Sequence, residues 1–312
     1  MKVFLAGATG ALGVQLIPRL VARGHEVVGM TRSAGKTDRL KALGARPVVA
    51  DALDRDAVLR AVEAARPDVV VHELTALAAG IDFRRPEASF AMTNRLRTEG
   101  TDHLLEATRA SGAGRFIAQS YAGWPFARTG GPVKTETDPL DPNPPKALRG
   151  GFAALRHLES AVLAADGLVL RYGGFYGPGT SLSADPGAEM VVPLRKRQFP
   201  LIGDGGGVWS FVQIEDAATA TLAAVEGGPA GIYHVVDDDP APVREWLPFL
   251  AKAVGAPSPR HVPRWLGRLL AGEAAVVIMT ESRGASNAKA KATFGWQPEY
   301  ASWRTGFVKG LG

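Results

Sequence analysis

Cysteine is absent from this 312-residue chain, which excludes disulfides, a thiolate nucleophile and Cys-ligated metal. Long hydrophobic runs are missing too. The first apolar stretch stops at Ala6, where glycines begin, so no secretory signal is expected. Later runs, such as residues 274–279, are far too short to span a bilayer. Basic residues are scattered, and the densest cluster, Arg195-Lys196-Arg197, holds only three. A nucleic-acid groove needs a continuous basic face with interleaved aromatics, so the net charge of +5 suits an anionic small ligand better. The six histidines are dispersed, with no metal-ligand spacing and no Ser-His-Asp arrangement, and no metal is expected. The remaining expectation is a soluble, cytoplasmic, globular protein with no membrane partner. Its hydrophobic content of 46% and charged content of 21% are ordinary for that class.

The most informative feature lies near the start: Val3-Phe4-Leu5-Ala6-Gly7-Ala8-Thr9-Gly10-Ala11-Leu12-Gly13, followed by a helical pattern. The order is strand, glycine turn, helix. Glycines let the backbone turn tightly and approach phosphates, and the free N–H groups of the helix N-terminus receive negative charge. Gly7, Thr9, Gly10, Ala11, Leu12 and Gly13 are therefore placed against the pyrophosphate of a nicotinamide dinucleotide.

Strand-like runs at 2–6, 26–30, 46–50, 68–72, 115–118 and 168–172 alternate with helical patterns at 11–23, 54–65, 86–110 and 147–165. Such alternation predicts right-handed βαβ crossovers in a doubly wound parallel sheet of Rossmann type. Ligands on these sheets bind outside the carboxyl ends of the strands. From Gly173 to Gly207 the chain turns rich in glycine and proline. A strand at 208–214, a helix at 216–226 and a strand at 231–236 then predict a return to the sheet. The expected organisation is a dinucleotide-binding domain over 1–172, with 208–236 returning to it. Residues 173–207 and 237–312 would form a smaller substrate lobe, leaving a cleft between the two.

After the second strand, an NAD site usually places an acidic residue on the ribose 2′-hydroxyl. This chain reads Met30-Thr31-Arg32-Ser33, with Lys36 and Arg39 nearby. A guanidinium there can pair with a 2′-phosphate, which favours NADP over NAD by about 1.5–3 kcal/mol. Thr31, Arg32, Asp51 and Ala52 are assigned to the adenosine end, and Leu74 and Ser120 to later parts of the cofactor site.

With these pieces placed, the chain resembles the extended short-chain dehydrogenase/reductase superfamily, of the epimerase/dehydratase type. The resemblance rests on the glycine turn and on Val71-His72-Glu73-Leu74. It continues through Asn94 and Gly100-Thr101-Asp102-His103-Leu104-Leu105, then Leu170-Arg171-Tyr172 and Tyr176-Gly177-Pro178-Gly179. Phe211-Val212-Gln213-Ile214-Glu215-Asp216, Asn287-Ala288-Lys289-Ala290 and Phe294-Gly295-Trp296-Gln297-Pro298 extend it nearly to the C-terminus. The family's Tyr-x-x-x-Lys pair, in which a lysine helps a tyrosine exchange a proton with the substrate oxygen, has no counterpart in Gly150-Gly151-Phe152-Ala153-Ala154-Leu155-Arg156-His157-Leu158-Glu159. Anchored on Glu159, the pair becomes Gly151 and Leu155; one residue further it becomes Phe152 and Arg156. Both registers lose the phenol.

Three replacements are open: Tyr121 with Arg156 or Lys134 as the cation, Tyr172 or Tyr176 from the other side, or His157. Helix geometry turns His157 about 200° from Leu155, away from the cofactor. Tyr121 and Arg156 are the leading catalytic candidates. The family's Arg-Asp-Phe, which contacts a nucleotide-sugar pyrophosphate, reads Trp209-Ser210-Phe211 here. An indole cannot replace that guanidinium. With Trp124, Tyr172, Trp209 and Arg283 assigned to it, the cleft suits a small, rather apolar carbonyl or alcohol. The resulting expectation is an NAD(P)-dependent oxidoreductase with a non-standard proton donor. The alternatives are a redox-neutral epimerase or dehydratase, or a non-catalytic NADP sensor. A homodimer through the helices at 86–110 and 147–165 is the expected assembly if one forms.

Overall fold

The computed structural model describes residues 1–77, 80, 82, 84–185 and 187–312. Its centre is a seven-stranded sheet. The strands are β1 (Lys2–Ala6), β2 (Glu26–Thr31), β3 (Arg46–Val49), β4 (Val69–His72), β5 (Arg115–Tyr121), β6 (Leu168–Tyr172) and β7 (Gly231–Val235). Their order is β3-β2-β1-β4-β5-β6-β7, and every pair is parallel. This is a Rossmann-type α/β fold. The chain runs outward from β1 to β3, then returns to the other side of β1 with β4. The crevice above the ends of β1 and β4 is thus the switch point at which such sheets bind ligands.

Strands buried on both faces require nearly continuous apolar runs, and alternate residues face opposite helix layers. Val3, Leu5, Val69, Val71, Ile117 and Leu170 pack toward α1 (Ala11–Ala22), α2 (Thr37–Ala42) and α8 (Ile214–Glu226). Phe4, Ala6, Val28, Val70, Phe116 and Val169 pack toward α3 (Arg55–Ala65), α5 (Thr101–Ser111) and α6 (Arg149–Ala164). Each fully buried Val, Leu, Ile or Phe side chain contributes about 1.5–3 kcal/mol. A separate cluster gathers Tyr176, Phe211, Trp246, Trp303 and Phe307. It lies among α7 (Val191–Arg195), α9 (Val243–Ala253), α10 (Arg264–Glu281) and α12 (Trp303–Lys309). The ring pairs Phe211–Trp246 and Phe211–Phe307 stand edge to face at 5.2 Å, a favourable quadrupole geometry. α11 (Ala288–Phe294) packs back toward β7.

Several boundaries differ from expectation, each for a local reason. β5 runs on to Tyr121 because Gln119, Ser120 and Tyr121 find partners in Leu170, Arg171 and Tyr172 of β6. The helix expected over 86–110 is α4 (Pro86–Arg95), a π-turn at Leu96–Gly100, and α5. Thr98 Oγ1 donates to Asn94 O at 3.0 Å and Thr101 Oγ1 to Arg97 O at 2.8 Å, so hydroxyls compete for carbonyls around that turn. The strand expected over 208–214 divides at Ser210. Val208–Trp209 pairs with Ala241–Pro242, whereas Phe211–Gln213 pairs with Gly174–Tyr176. The Gln213 side chain caps α8, which therefore starts at Ile214 rather than 216.

Candidate active site

Gly7 leaves β1 with φ 96°, a conformation open to glycine, and its carbonyl accepts Gly10 N–H at 2.9 Å. A Cβ on Gly13 would stand 2.6 Å from Gly7 O and 2.7 Å from Ala8 O, so α1 packs on the turn only with glycine there. Gly10 provides no side-chain cap, and no acidic residue occupies the first turn of α1. The first-turn N–H groups are thus available to an anion. A cleft of about 300 Å³ opens against them, lined by Thr9, Gly10, Ala11, Val14, Gln15, Arg39, Pro178 and Gly179. These features fit a dinucleotide phosphate: a close backbone approach, unpaired helical donors and a cation.

At the end of β2, Thr31 is buried and its Oγ1 accepts Ser33 N–H at 3.2 Å, which shapes the turn that exposes Arg32. Arg39 joins the site from α2, whereas the sequence had marked it only as a neighbour. Asp51 Oδ1 accepts Leu53 N–H at 3.0 Å, so its carboxylate braces the turn before α3. Ala52 is buried, and its carbonyl is 2.9 Å from His103 Nδ1. Leu74 N–H donates to His72 Nδ1 at 3.2 Å.

Tyr121 and Trp124, at the end of β5 and just after it, and the distant Trp209 line one cavity with Gly123, Ser210, Ile278 and Ser282. The cavity is small, about 10 Å³. Tyr121 and Trp124 have ring centroids 5.7 Å apart, and Trp124 lies 5.3 Å from Phe152. Burial pushes the Tyr121 phenol up to about 12. Directly beneath is α6. A Cβ on Gly151 would meet Trp124 Cη2 at 3.7 Å and Asn94 Oδ1 at 3.9 Å, so the indole already occupies the space above that glycine. Leu155 is buried one turn further on. No tyrosine in the chain has lysine four residues after it.

The proposed cations lie elsewhere. Arg156 is exposed, and its Nη2 donates to Asp141 O. Lys134 is buried, donating to Thr129 O at 2.7 Å and Asp138 Oδ1 at 3.2 Å. His157 faces α5, with Nε2 2.8 Å from Asp102 Oδ1. Arg283 donates to the carbonyls of Arg128 and Glu281, beside the cavity residue Ser282. Arg128 itself bridges Asp141 and Glu281, both at 2.8 Å, and so ties the loop after β5 to α10.

Two further assignments sit in the protein interior. Ser120 Oγ donates to Glu159 Oε1 at 2.6 Å, and Glu159 also holds Arg171 through two 2.7 Å bonds. Arg97, in the π-turn, is buried near the same carboxylate. Burial pulls its guanidinium down to about 10, with the charge of Glu159 opposing. Tyr172 is buried, its hydroxyl 3.2 Å from Glu73 Oε1 and 2.7 Å from Thr221 Oγ1, so the structure does not bring it to the Trp124–Trp209 cavity. Tyr176 is buried in the second cluster against Phe307, 5.3 Å away. Glu73 and Arg97 are the charged residues that sequence reading missed. An acid following the apolar run Val69–Val71 and His72, and a basic residue four positions before Thr101, were the only signals.

Residues 3–235 match the family model described as "NAD dependent epimerase/dehydratase family". The chain belongs to that family. It is 47% identical over 312 residues to a "3-diazoavenalumate denitrifying reductase" from Streptomyces sp, an alignment covering 98% of this chain and 99% of the relative. A "2-alkyl-3-oxoalkanoate reductase" from Stenotrophomonas maltophilia is 30% identical, covering 82% and 77%. The UDP-glucose 4-epimerase of Thermotoga maritima, solved with UDP-glucose, superposes with a TM-score of 0.76 at 22% identity over 100% of this chain and 97% of that one. Family membership and the reductase-named relatives support an NAD(P)-dependent oxidoreductase. Among the described residues, no helix is long and apolar enough to cross a membrane.

Proposed function

We propose that this family member is an NADPH-preferring reductase for a flat, largely apolar acceptor that needs no proton from the protein, with an aryl diazo compound as the best-fitting class. The observation that carries this reading is α6. Gly151 lies beneath the Trp124 indole, Leu155 follows it, and Arg156 is engaged with Asp141. Reduction of a ketone leaves an oxyanion, and a positioned acid typically contributes about 10²–10⁴-fold there. A diazonium group makes no such demand. Its carbon–nitrogen bond breaks, dinitrogen leaves, and the ring carbon ends with hydrogen, so a hydride and the cation balance without an added proton. The name of the 47%-identical relative supports the same class.

When bound, a nicotinamide dinucleotide supplies the hydride. The chain's own contribution is binding and exclusion of water. The N-terminus of α1, with Thr9, Gly10, Ala11, Leu12 and Gly13, would hold the pyrophosphate. Arg32 and Arg39 would favour a 2′-phosphate, while Leu74 and the ends of β4 and β5 would flank the remainder. Tyr121, Trp124, Trp209 and Ile278 would enclose the acceptor ring, and their side chains must part to admit it, given a cavity of about 10 Å³. Residues 173–207 and 237–312 would act as the lobe that closes over it. Ser282 and Arg283 would give this lobe its polar edge, facing Ser210 of the segment that returns to the sheet.

A second reading keeps a carbonyl substrate and gives the Tyr121 phenol the role of acid. Its support is the position of Tyr121 in the cavity wall, together with relatives named for oxo substrates. One set of assays separates the readings: NADPH and NADH titration by fluorescence, then NADPH oxidation with a hydroxyaryl diazonium salt and with a matched ketone, above enzyme-free rates. Stoichiometric release of dinitrogen, unaffected by Tyr121→Phe, is the expected result. Ketone turnover abolished by that variant would establish the second reading instead. Binding without turnover of either compound would indicate a nucleotide sensor, and no nucleotide binding would overturn every version.

A further inference from the structure

β4 ends at His72, and the next residue puts a carboxyl group at the switch point of the sheet. Glu73 N–H donates to Ala6 O at 2.8 Å, which carries the β1–β4 ladder up to the glycine turn. Gly7 packs against it so closely that a Cβ there would be 2.6 Å from Glu73 O and 3.2 Å from Glu73 Cβ. The residue is only 6% exposed. Oε1 meets Tyr172 Oη at 3.2 Å, and Oε2 is buried with no partner among the described residues.

Counting hydrogens favours a protonated Glu73 carboxyl. Glu73–Tyr172, Tyr172–Thr221 at 2.7 Å and Thr221–Ala217 O at 2.7 Å are three consecutive contacts. Each needs one hydrogen, but the two hydroxyls supply only two. A carboxyl proton on Glu73 completes the chain, which then runs from Glu73 through Tyr172 and Thr221 to the Ala217 carbonyl. Burial acts in the same direction and pushes the carboxyl up to about 8. Nearby charges turn away. The His72 ring contacts Leu96 O and Thr101 Oγ1 on the opposite face, and Arg171 of β6 turns to Glu159. On α8, Asp216 accepts the N–H groups of Glu299 and Tyr300, and Glu215 pairs with Arg19 at 3.6 Å. Among the described residues, no cation is therefore in place to stabilise an ionised Glu73.

We propose that Glu73 gates dinucleotide affinity by its protonation. Neutral, it backs the glycine turn as an uncharged group with a proton to donate; ionised, it places an unpaired buried negative charge behind the turn that receives a diphosphate. This rests on the dinucleotide-binding reading above. A ligand that selects the neutral form loses affinity in proportion to the fraction ionised. For a group titrating at about 8, that amounts to roughly tenfold weaker binding at pH 9 than at pH 7.

The test is the Kd of NADPH, by fluorescence, from pH 6.5 to 9.5 for the full chain and for Glu73→Gln. The wild-type Kd should be nearly flat to about pH 7.5, rise about fivefold between pH 8 and 9, and approach tenfold per unit above that. Glu73→Gln, which stays neutral, should bind with a flat profile. A flat wild-type profile, or a slope that survives in Glu73→Gln, overturns the gate. Should the variant fold poorly, calorimetry of the wild type at pH 8.5 in two buffers of different ionisation enthalpy decides the matter. Binding should take up most of one proton, and no uptake refutes the proposal. Absence of NADPH binding at every pH overturns both readings, whereas binding without proton uptake overturns only the gate.

Discussion

Replacing Glu159 by glutamine should destabilise the protein far more than the loss of one hydrogen bond suggests. The glutamine keeps an acceptor for Ser120 Oγ, which stands 2.6 Å from Glu159 Oε1, and preserves volume. It removes the carboxylate paired with Arg171, whose side chain is 4% exposed and holds Glu159 at 2.7 Å. It also leaves Arg97, buried in the π-turn, without the charge that opposes its desolvation. Removing one partner of a buried pair typically costs about 3–5 kcal/mol, because the surviving charge stays buried and uncompensated. With two guanidiniums affected, the upper part of that range is expected. At about 2 °C per kcal/mol for a chain of this size, melting should fall by roughly 8–10 °C. Urea unfolding of the wild type, Glu159→Gln, Arg171→Met and the double variant forms the cycle. A coupling energy of at least about 2 kcal/mol is expected between the two positions. If Glu159→Gln costs under about 1 kcal/mol, or the two changes simply add, the network does not carry the charge balance assigned to it.

Gly13→Ala places a methyl 2.6 Å from Gly7 O and should weaken NADPH binding at least about tenfold in a fluorescence titration. An unchanged Kd would show that the turn has room to yield. Arg32→Asp with Arg39→Asp should lower the preference for NADPH over NADH by about ten- to a hundredfold, measured as a ratio of Kd values. Loss of both affinities together would argue against a 2′-phosphate role. His72 and His234 are kept neutral by burial, with values lowered to about 4 and about 3 from 6.5. Below pH 6.5 the unfolded chain binds protons that the folded chain refuses. Stability should therefore fall toward acid by roughly 2–3 kcal/mol per pH unit between pH 6 and 4. Urea midpoints that do not move between pH 6.5 and 5 would refute that assignment.

The glycine turn of the candidate site was legible in sequence because its geometry is local. The glycine turn joins β1 to α1 within seven residues, and its spacing expresses a steric requirement that any copy of the turn must meet. Tyr121 and Trp124 are assigned from their places after the expected fifth strand, and Trp209 from the resemblance. Other assignments depended on side-chain direction. Tyr172 closes β6 as expected, but the strand's two-residue alternation turns it toward α8, where Thr221 and Glu73 engage its hydroxyl. Ser120 lies within the extended β5 and faces α6, so its hydroxyl meets Glu159. Arg156 follows the outer face of α6 to the Asp141 carbonyl.

The sequence by itself determined the parallel sheet, its strand–helix alternation and the glycine turn. Each arises from apolar periodicity or from glycine spacing over a few residues, where neighbouring atoms impose the geometry. Only the tertiary structure decided which polar groups became neutral, paired or isolated. Glu73 and Tyr172 are 99 residues apart, and Tyr172 and Thr221 are 49 apart. Their shared proton comes from enclosure between β4, β6 and α8. Burial and hydrogen-bond counts depend on what the whole chain packs around a residue, and no local pattern records that.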